Sequence, residues 1–268
     1  MALRSGCLSA TSILGRRILT LPRGRGARTY SWELAILKKT RKSSFSVLGG
    51  LKRVGRVLIV IAIGFYAWVS LALLLLRWVN PFTTAVQVER RVQSFGKPGR
   101  YRKEYAFVPI QQIAPALQHA LVAAEDARFY QHHGFDWVEV QNALEERREG
   151  GRQRGASTIT QQLVKNLFLT TNSSVIRKGL EATIVPITEL LLSKQRILEL
   201  YLNVIEWGPG VYGAEAAARR YYSIPARRLT REQAVALAAV VPAPLRRKPG
   251  RGTEYGRIIS DRMVQMGW

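Results

Sequence analysis

Residues 111–126 read QQIAPALQHALVAAED, and their spacing decides the fold class. Ile113, Leu117, Leu121 and Ala124 recur every three or four positions, which gathers them on one helical face rather than alternating them across a strand. The predicted helix delivers two adjacent acids, Glu125 and Asp126, at its C-terminal end. The helix dipole favours cations there, so the pair carries a small local cost of the kind a working site tolerates.

Downstream the helical period persists. Thr158 with Gln161, and Thr230 with Gln233, have the spacing of a capping box, so helices are predicted to start at both. A long helical stretch is expected from about residue 174 to 205, with Pro186 kinking it or splitting it in two. Further helices fit 211–222, 230–241 and 254–266, while strand-like alternation is confined to a short run near 104–109. The class is therefore mainly α, a single globular body over about 105–268.

Upstream, residues 57–76 read VLIVIAIGFYAWVSLALLLL, an uncharged run closed by Arg56 and Arg77. A run of about 20 apolar residues matches a hydrocarbon core of about 30 Å, which predicts a transmembrane helix over 57–77. A buried core helix is the plain alternative, but such helices seldom stay uncharged for so long. A cleaved signal peptide would need a small-residue site, and RWVNPFTT supplies none. Residues 1–56 carry 13 Lys+Arg and one acid, Glu33. The positive-inside rule puts that basic tail, expected to be largely disordered, in the cytoplasm and the body on the other side. Residues 78–104, with Pro81, Gly96, Pro98 and Gly99, read as a linker.

Over all 268 residues the net charge is +23 and the hydrophobic share 47%, which excludes wholesale disorder. One Cys excludes an intrachain disulfide, and a single Cys with three His leaves no ligand set for a zinc or iron–sulfur cage. So basic a chain has the charge of a nucleic-acid binder. Membrane topology already accounts for the basic arm, so no nucleic-acid partner is expected.

Four clusters carry candidate chemistry. In Glu125-Asp126-x-x-Phe129-x-x-His132-x-Gly134, acids leaving a helix before a Gly-ended turn can set one carboxylate in a cleft while neighbours hold the other. A solvated helix end accounts for the same composition. In residues 155–166, GASTITQQLVKN, small residues, hydroxyls and free N–H groups at a helix start favour an anion, and Lys165 follows two turns on. An ordinary capped helix explains Ser157 and Thr158 but not the whole polar run. Arg177, Lys178 and Glu181 share one helical face, which a surface salt bridge worth about 0.3–0.5 kcal/mol would also explain. Lys194 to Asn203 reads as mostly structural. The charged segment 139–154 reads as a mobile loop over the cleft, offering Arg147, Arg148, Arg152 and Arg154 to lipid phosphates.

Taken together, in order and spacing, these stretches resemble the biosynthetic peptidoglycan glycosyltransferases, glycosyltransferase family 51, in their monofunctional form. The family patterns EDxxFxxHxG, GxSTITQQLxKN, RKxxE, KxxILExYLN and GxxGxExAA appear here as EDARFYQHHG, GASTITQQLVKN, RKGLE, KQRILELYLN and GVYGAEAAA. The bifunctional relatives carry a penicillin-binding domain as well, whose K-T-G signature does not occur in these 268 residues. The resemblance implies a lysozyme-like helical domain on the outer face of the bacterial inner (plasma) membrane. It implies polymerisation of lipid II into β-1,4 glycan strands by inversion at the donor carbon. Glu125 matches the general base and Glu181 the second acid. Asp126, Phe129 and His132 match residues supporting the site, and Ser157, Thr158, Gln161, Lys165, Arg177 and Lys178 match the donor and diphosphate site.

By the same resemblance no cofactor is tightly bound, and Mg²⁺ or Mn²⁺ bridging the diphosphate near Glu181 is admitted. The partners implied are lipid II, the lipid-linked strand, the membrane, and proteins of division or elongation. Where family members commonly read Tyr-Phe, then Gly or His, then Lys, this chain has Tyr221-Tyr222-Ser223-Ile224. A lytic glycan hydrolase using Glu125 as acid is the runner-up, and a catalytically silent scaffold for lipid-linked precursors is the reading from another class.

Overall fold

The structure, a computed structural model, describes residues 31–95, 101–150, 155–250 and 252–268, with side chains from residue 49 onward. It is mainly α, with ten α-helices and one small sheet among the described residues. Helix α1 spans Ser31–Leu75, and within it Gly49–Leu75 is long and apolar enough to cross a membrane. Residues 31–56 are thus helical instead of forming part of a disordered tail. Leu, Lys and Arg are frequent there, and adding turns to an existing helix avoids the cost of nucleation. Residues 1–30 lie outside the described part.

From Tyr66 onward one face of α1 meets the body. Val69 and Leu73 are fully buried, and Tyr66 and Leu76 pack beside them. The spacing of 3, 4 and 3 residues is a single helical stripe. The Tyr66 hydroxyl lies 2.7 Å from Thr183 Oγ1, and the Trp68 ring meets Phe168 edge-on at 5.7 Å. Arg196 closes the helix end. Its Nε donates to the Leu76 carbonyl at 2.7 Å and one terminal nitrogen to the Val79 carbonyl at 3.1 Å. Free carbonyls at a helix C-terminus are favourable partners for a cation.

Helix α2 (Ala85–Gln93) occupies the stretch expected to be linker. Thr84 caps it by accepting from the Gln87 N–H at 3.3 Å, and Val86 is buried. Helix α3 (Pro115–Glu125) starts later than its period suggests, after a 3₁₀ turn at Ile110–Gln112. Pro115 disfavours helical geometry at Ala114 and serves instead as the first helical residue. Leu117, Ala120 and Leu121 are wholly buried where α3 packs on α9 (Arg231–Ala238) and α10 (Glu254–Gln265). Truncating Leu121 to Ala there should cost about 2–5 kcal/mol.

Helix α4 (Trp137–Arg148) replaces most of the expected mobile loop. Asp136 caps it by accepting from the Glu139 N–H at 3.0 Å, and Arg147 and Arg148 complete its last turn, where the dipole favours them. Arg152 and Arg154 lie outside the described residues.

Helix α5 (Ile159–Phe168) packs on α2, α6 (Val175–Leu191) and α7 (Lys194–Val204). Pro186 neither splits nor ends α6; it is exposed, and solvent can take up a carbonyl freed by the missing N–H. The break comes at Leu192 and Ser193, because Ser193 caps α7 by accepting from the Arg196 N–H at 3.2 Å. Asn203 is wholly buried, its amide pairing with both backbone groups of Val108 at 2.9 Å, so the α7 motif works as a structural pin.

Strands β1 (Glu104–Tyr105), β2 (Glu206–Gly208) and β3 (Val211–Tyr212) form a sheet ordered β1-β3-β2, parallel then antiparallel. The hairpin occupies the first residues expected to be helical at 211. Gly213 enforces the change: its φ is +84°, and a side chain there would strike the Asn203 carbonyl. Helix α8 (Ala214–Tyr222) follows.

Candidate active site

The two acids ending α3 separate in role as soon as the helix stops. Asp126 turns inward: one carboxylate oxygen lies 2.9 Å from His132 Nε2, and the other accepts from the Ile159 N–H at 2.9 Å. His132 Nδ1 accepts from the Gly134 N–H at 3.2 Å, so Nε2 carries the proton that faces Asp126. The Thr158 hydroxyl donates to the Gly134 carbonyl at 2.7 Å. These bonds lock the 126–134 turn onto the start of α5. Gly134 allows the close approach, with φ +92° and Val185 where a side chain would be.

Asp126, His132 and Asp136 stand near enough to one another to suggest a metal cage. Their atoms are already committed: His132 uses both ring nitrogens, and Asp136 caps α4 while pairing with Arg128 at 3.3 Å. Phe129 is wholly buried beneath Lys194, whose Nζ lies 4.4 Å from the ring centre.

Glu125 instead lines a cleft of about 270 Å³ with Ser157, Gln161, Lys165, Arg177, Lys178 and Glu181. Gln162, Val241 and Pro242 complete its wall. Thr158, expected beside the donor, is not on that wall. Its hydroxyl accepts from the Gln161 N–H and donates to Gly134, so it is spent on capping α5.

Gln162 Nε2 donates to Glu125 Oε2 at 2.7 Å, and the buried Tyr201 hydroxyl donates to Gln162 Oε1 at 2.8 Å. Glu125's other oxygen has no hydrogen bond among the described residues. Burial pushes the Glu125 carboxyl above its ordinary pKa; Gln162 and Lys165 pull the other way without winning. Lys165 is held below its ordinary value, first by burial and then by Arg177 and Lys178, against the opposing attraction of Glu181 and Glu125. The site thus holds a base that gives up its proton late and a cation under strain from its neighbours.

Glu181 is buried and flanked by both basic neighbours one turn before it on α6. One oxygen accepts from Arg177 at 2.6 Å, and the other is paired with Lys178. This arrangement leaves neither carboxylate oxygen free, so the donor set near Glu181 does not fit a divalent cation. Lys178 is the outward member, its side chain 47% exposed against 17% for Arg177, and its Nζ lies 3.3 Å from Ser157 Oγ.

Sequence reasoning missed Gln162, the Val241–Pro242 edge, and Arg247 and Tyr255, which lie close enough to Glu125 to interact electrostatically. Gln162 stood inside a quoted motif, but nothing in the spacing separates it from Gln161. Ile224, standing where family members commonly have Lys, packs on the core and is not on the cleft wall.

A helical body that sets one raised carboxylate across a small cleft from three cations is built for group transfer from an anionic donor. This chain belongs to the transglycosylase family, whose model matches residues 89–265. It is 46% identical over 207 residues to a biosynthetic peptidoglycan transglycosylase of Pseudomonas entomophila, covering 76% of this chain and 85% of that one. Proteins of the same name from Pseudomonas aeruginosa and Neisseria meningitidis are 46% and 47% identical, covering 72% of this chain and 83% and 85% of theirs.

Proposed function

We propose that this enzyme polymerises lipid II into linear glycan strands, with Glu125 as the base and Lys165, Arg177 and Lys178 receiving the diphosphate. The acceptor's 4-hydroxyl attacks the anomeric carbon of the strand held on undecaprenyl diphosphate. As the C–O bond forms on the face opposite the leaving group, Glu125 takes the hydroxyl proton and the diphosphate departs with the bonding pair. An α-linked donor therefore yields a β-1,4 link without a covalent enzyme intermediate.

The carrying observation is the cleft itself, in which a base with a raised pKa faces fixed cations where anionic charge develops. Glu181 holds Arg177 and Lys178 in position, while Ser157 and Gln161 line the donor side. Every step here belongs to the chain's own side chains; Mg²⁺ or Mn²⁺ would travel as a counter-ion on the diphosphate oxygens. Val175 and Ile176, 90% and 79% exposed in the turn just before the cations, suit contact with a lipid chain.

The membrane is this enzyme's working surface. The finer placement is also proposed: tail in the cytoplasm, body outside, in the inner membrane, among division or elongation proteins. Incubating the purified full chain with lipid II and separating products by size tests the function. Polymer supports it. Cleaved glycan would favour a hydrolase, and bound but unreacted precursor a scaffold.

A further inference from the structure

A second cavity, separate from the catalytic cleft, lies beside α2. About 490 Å³ opens between α2 and the approach to β1, walled by Phe82, Gln87, Val88, Arg91, Tyr101 and Lys103. Gln87 is 2% exposed, yet neither its amide nitrogen nor its amide oxygen has a partner among the described residues. Leaving such a group unpaired is costly, and a ligand offering both an acceptor and a donor would recover that cost.

Two cations share the cavity. Arg91 is exposed and makes no ion pair among the described residues. Lys103 donates to the Phe82 carbonyl at 2.9 Å and lies 4.6 Å from the Tyr105 ring centre. Both side chains line the cavity, and burial and then Arg91 hold Lys103 below its ordinary pKa.

The position narrows the anion. Phe82, 86% exposed, stands seven residues past Leu75, where the membrane-crossing stretch ends, and Trp78 between them is 72% exposed. Exposed aromatics and cations just beyond an apolar helix mark the headgroup level of a bilayer. We propose that this cavity binds the headgroup of an anionic glycerophospholipid. Arg91 and Lys103 take the phosphate diester, the Gln87 amide takes the headgroup hydroxyls, and Phe82 and Val88 border the glycerol and first acyl carbons. The proposal rests on the reading of 57–77 as a membrane helix, and it is separate from the Glu125 cleft.

The test uses the full chain in neutral detergent, titrated with dihexanoyl phosphatidylglycerol below its micelle concentration, and then with dihexanoyl phosphatidylcholine and with inorganic phosphate. Melting temperature should rise with phosphatidylglycerol only, and Arg91→Glu should weaken the apparent affinity at least tenfold while lipid II turnover in detergent stays unchanged. Gln87→Leu should raise the lipid-free melting temperature, by removing two unpaired buried polar atoms, and should abolish the response to lipid. An equal response to phosphatidylcholine, an equal response to inorganic phosphate, or an undiminished response in Arg91→Glu would each overturn the site. Flotation of wild-type protein with phosphatidylcholine vesicles checks the membrane helix independently, so its failure would be told apart from failure of the cavity.

Discussion

At Glu125 burial outweighs a hydrogen bond and a nearby cation, so its carboxyl titrates above the ordinary 4.5, while Lys165 titrates below the ordinary 10.5. The base works deprotonated and the cation protonated, so turnover should rise with pH through Glu125 and fall through Lys165, narrowing the bell from both sides. Gln162 lowers the Glu125 pKa by donating to its charged form, so Gln162→Leu should move the acid limb of kcat/KM to higher pH. An acid limb left in place would remove Gln162 from that role. Across the cleft, Lys165→Ala and Lys178→Ala should each lower kcat far more than stability, with losses that are not additive if both cations serve one diphosphate. Unchanged kcat in both, with small shifts in melting temperature, would make the cluster a surface salt bridge.

Among the elements, caps were the most legible feature. Thr158 and Thr230 each head a capping box, because the box is a four-residue signal independent of distant contacts. The α3 core face was equally plain in Leu117 and Leu121. What failed was long-range or competing: Pro186 gave way to the Ser193 cap as the break in 174–205, α2 is a short helix in a polar stretch headed by Thr84, and α4 follows Asp136 with almost no apolar period. The β2–β3 hairpin hinges on Gly213 meeting the Asn203 carbonyl, a contact between elements. Ser223 offers a test at this scale. It closes α8 with φ +58°, left-handed backbone that favours Gly. Ser223→Gly should stabilise the fold by about 0.5–1 kcal/mol, raising the melting temperature by roughly 1–4 °C with turnover unchanged. A lower melting temperature would show that the Ser side chain contributes more than the backbone strain costs.

For the molecule as a whole, the acid–cation site was readable because its residues fall in short motifs on α3, α5 and α6. Its far wall at Val241 and Pro242 was not, since a Val-Pro edge carries no chemical signature. Charge asymmetry about 57–77 sets the orientation proposed here. A reporter active only outside the cytoplasm should work when fused after Trp268 and fail when fused before Arg56, and the reverse would invert the topology.

The proposed chemistry rests on Glu125, and Glu125→Gln tests it most directly because it keeps the shape and removes the basicity. A carboxyl whose folded-state pKa is raised costs stability as pH climbs above its ordinary 4.5, and Gln carries no such cost, so at neutral pH the variant should melt at least as high as wild type. The measurement is the initial rate of lipid II polymerisation by both proteins, with melting temperature recorded alongside. The account predicts a rate at least ~10²-fold lower in a fully folded variant. Near wild-type polymerisation by folded Glu125→Gln would contradict it.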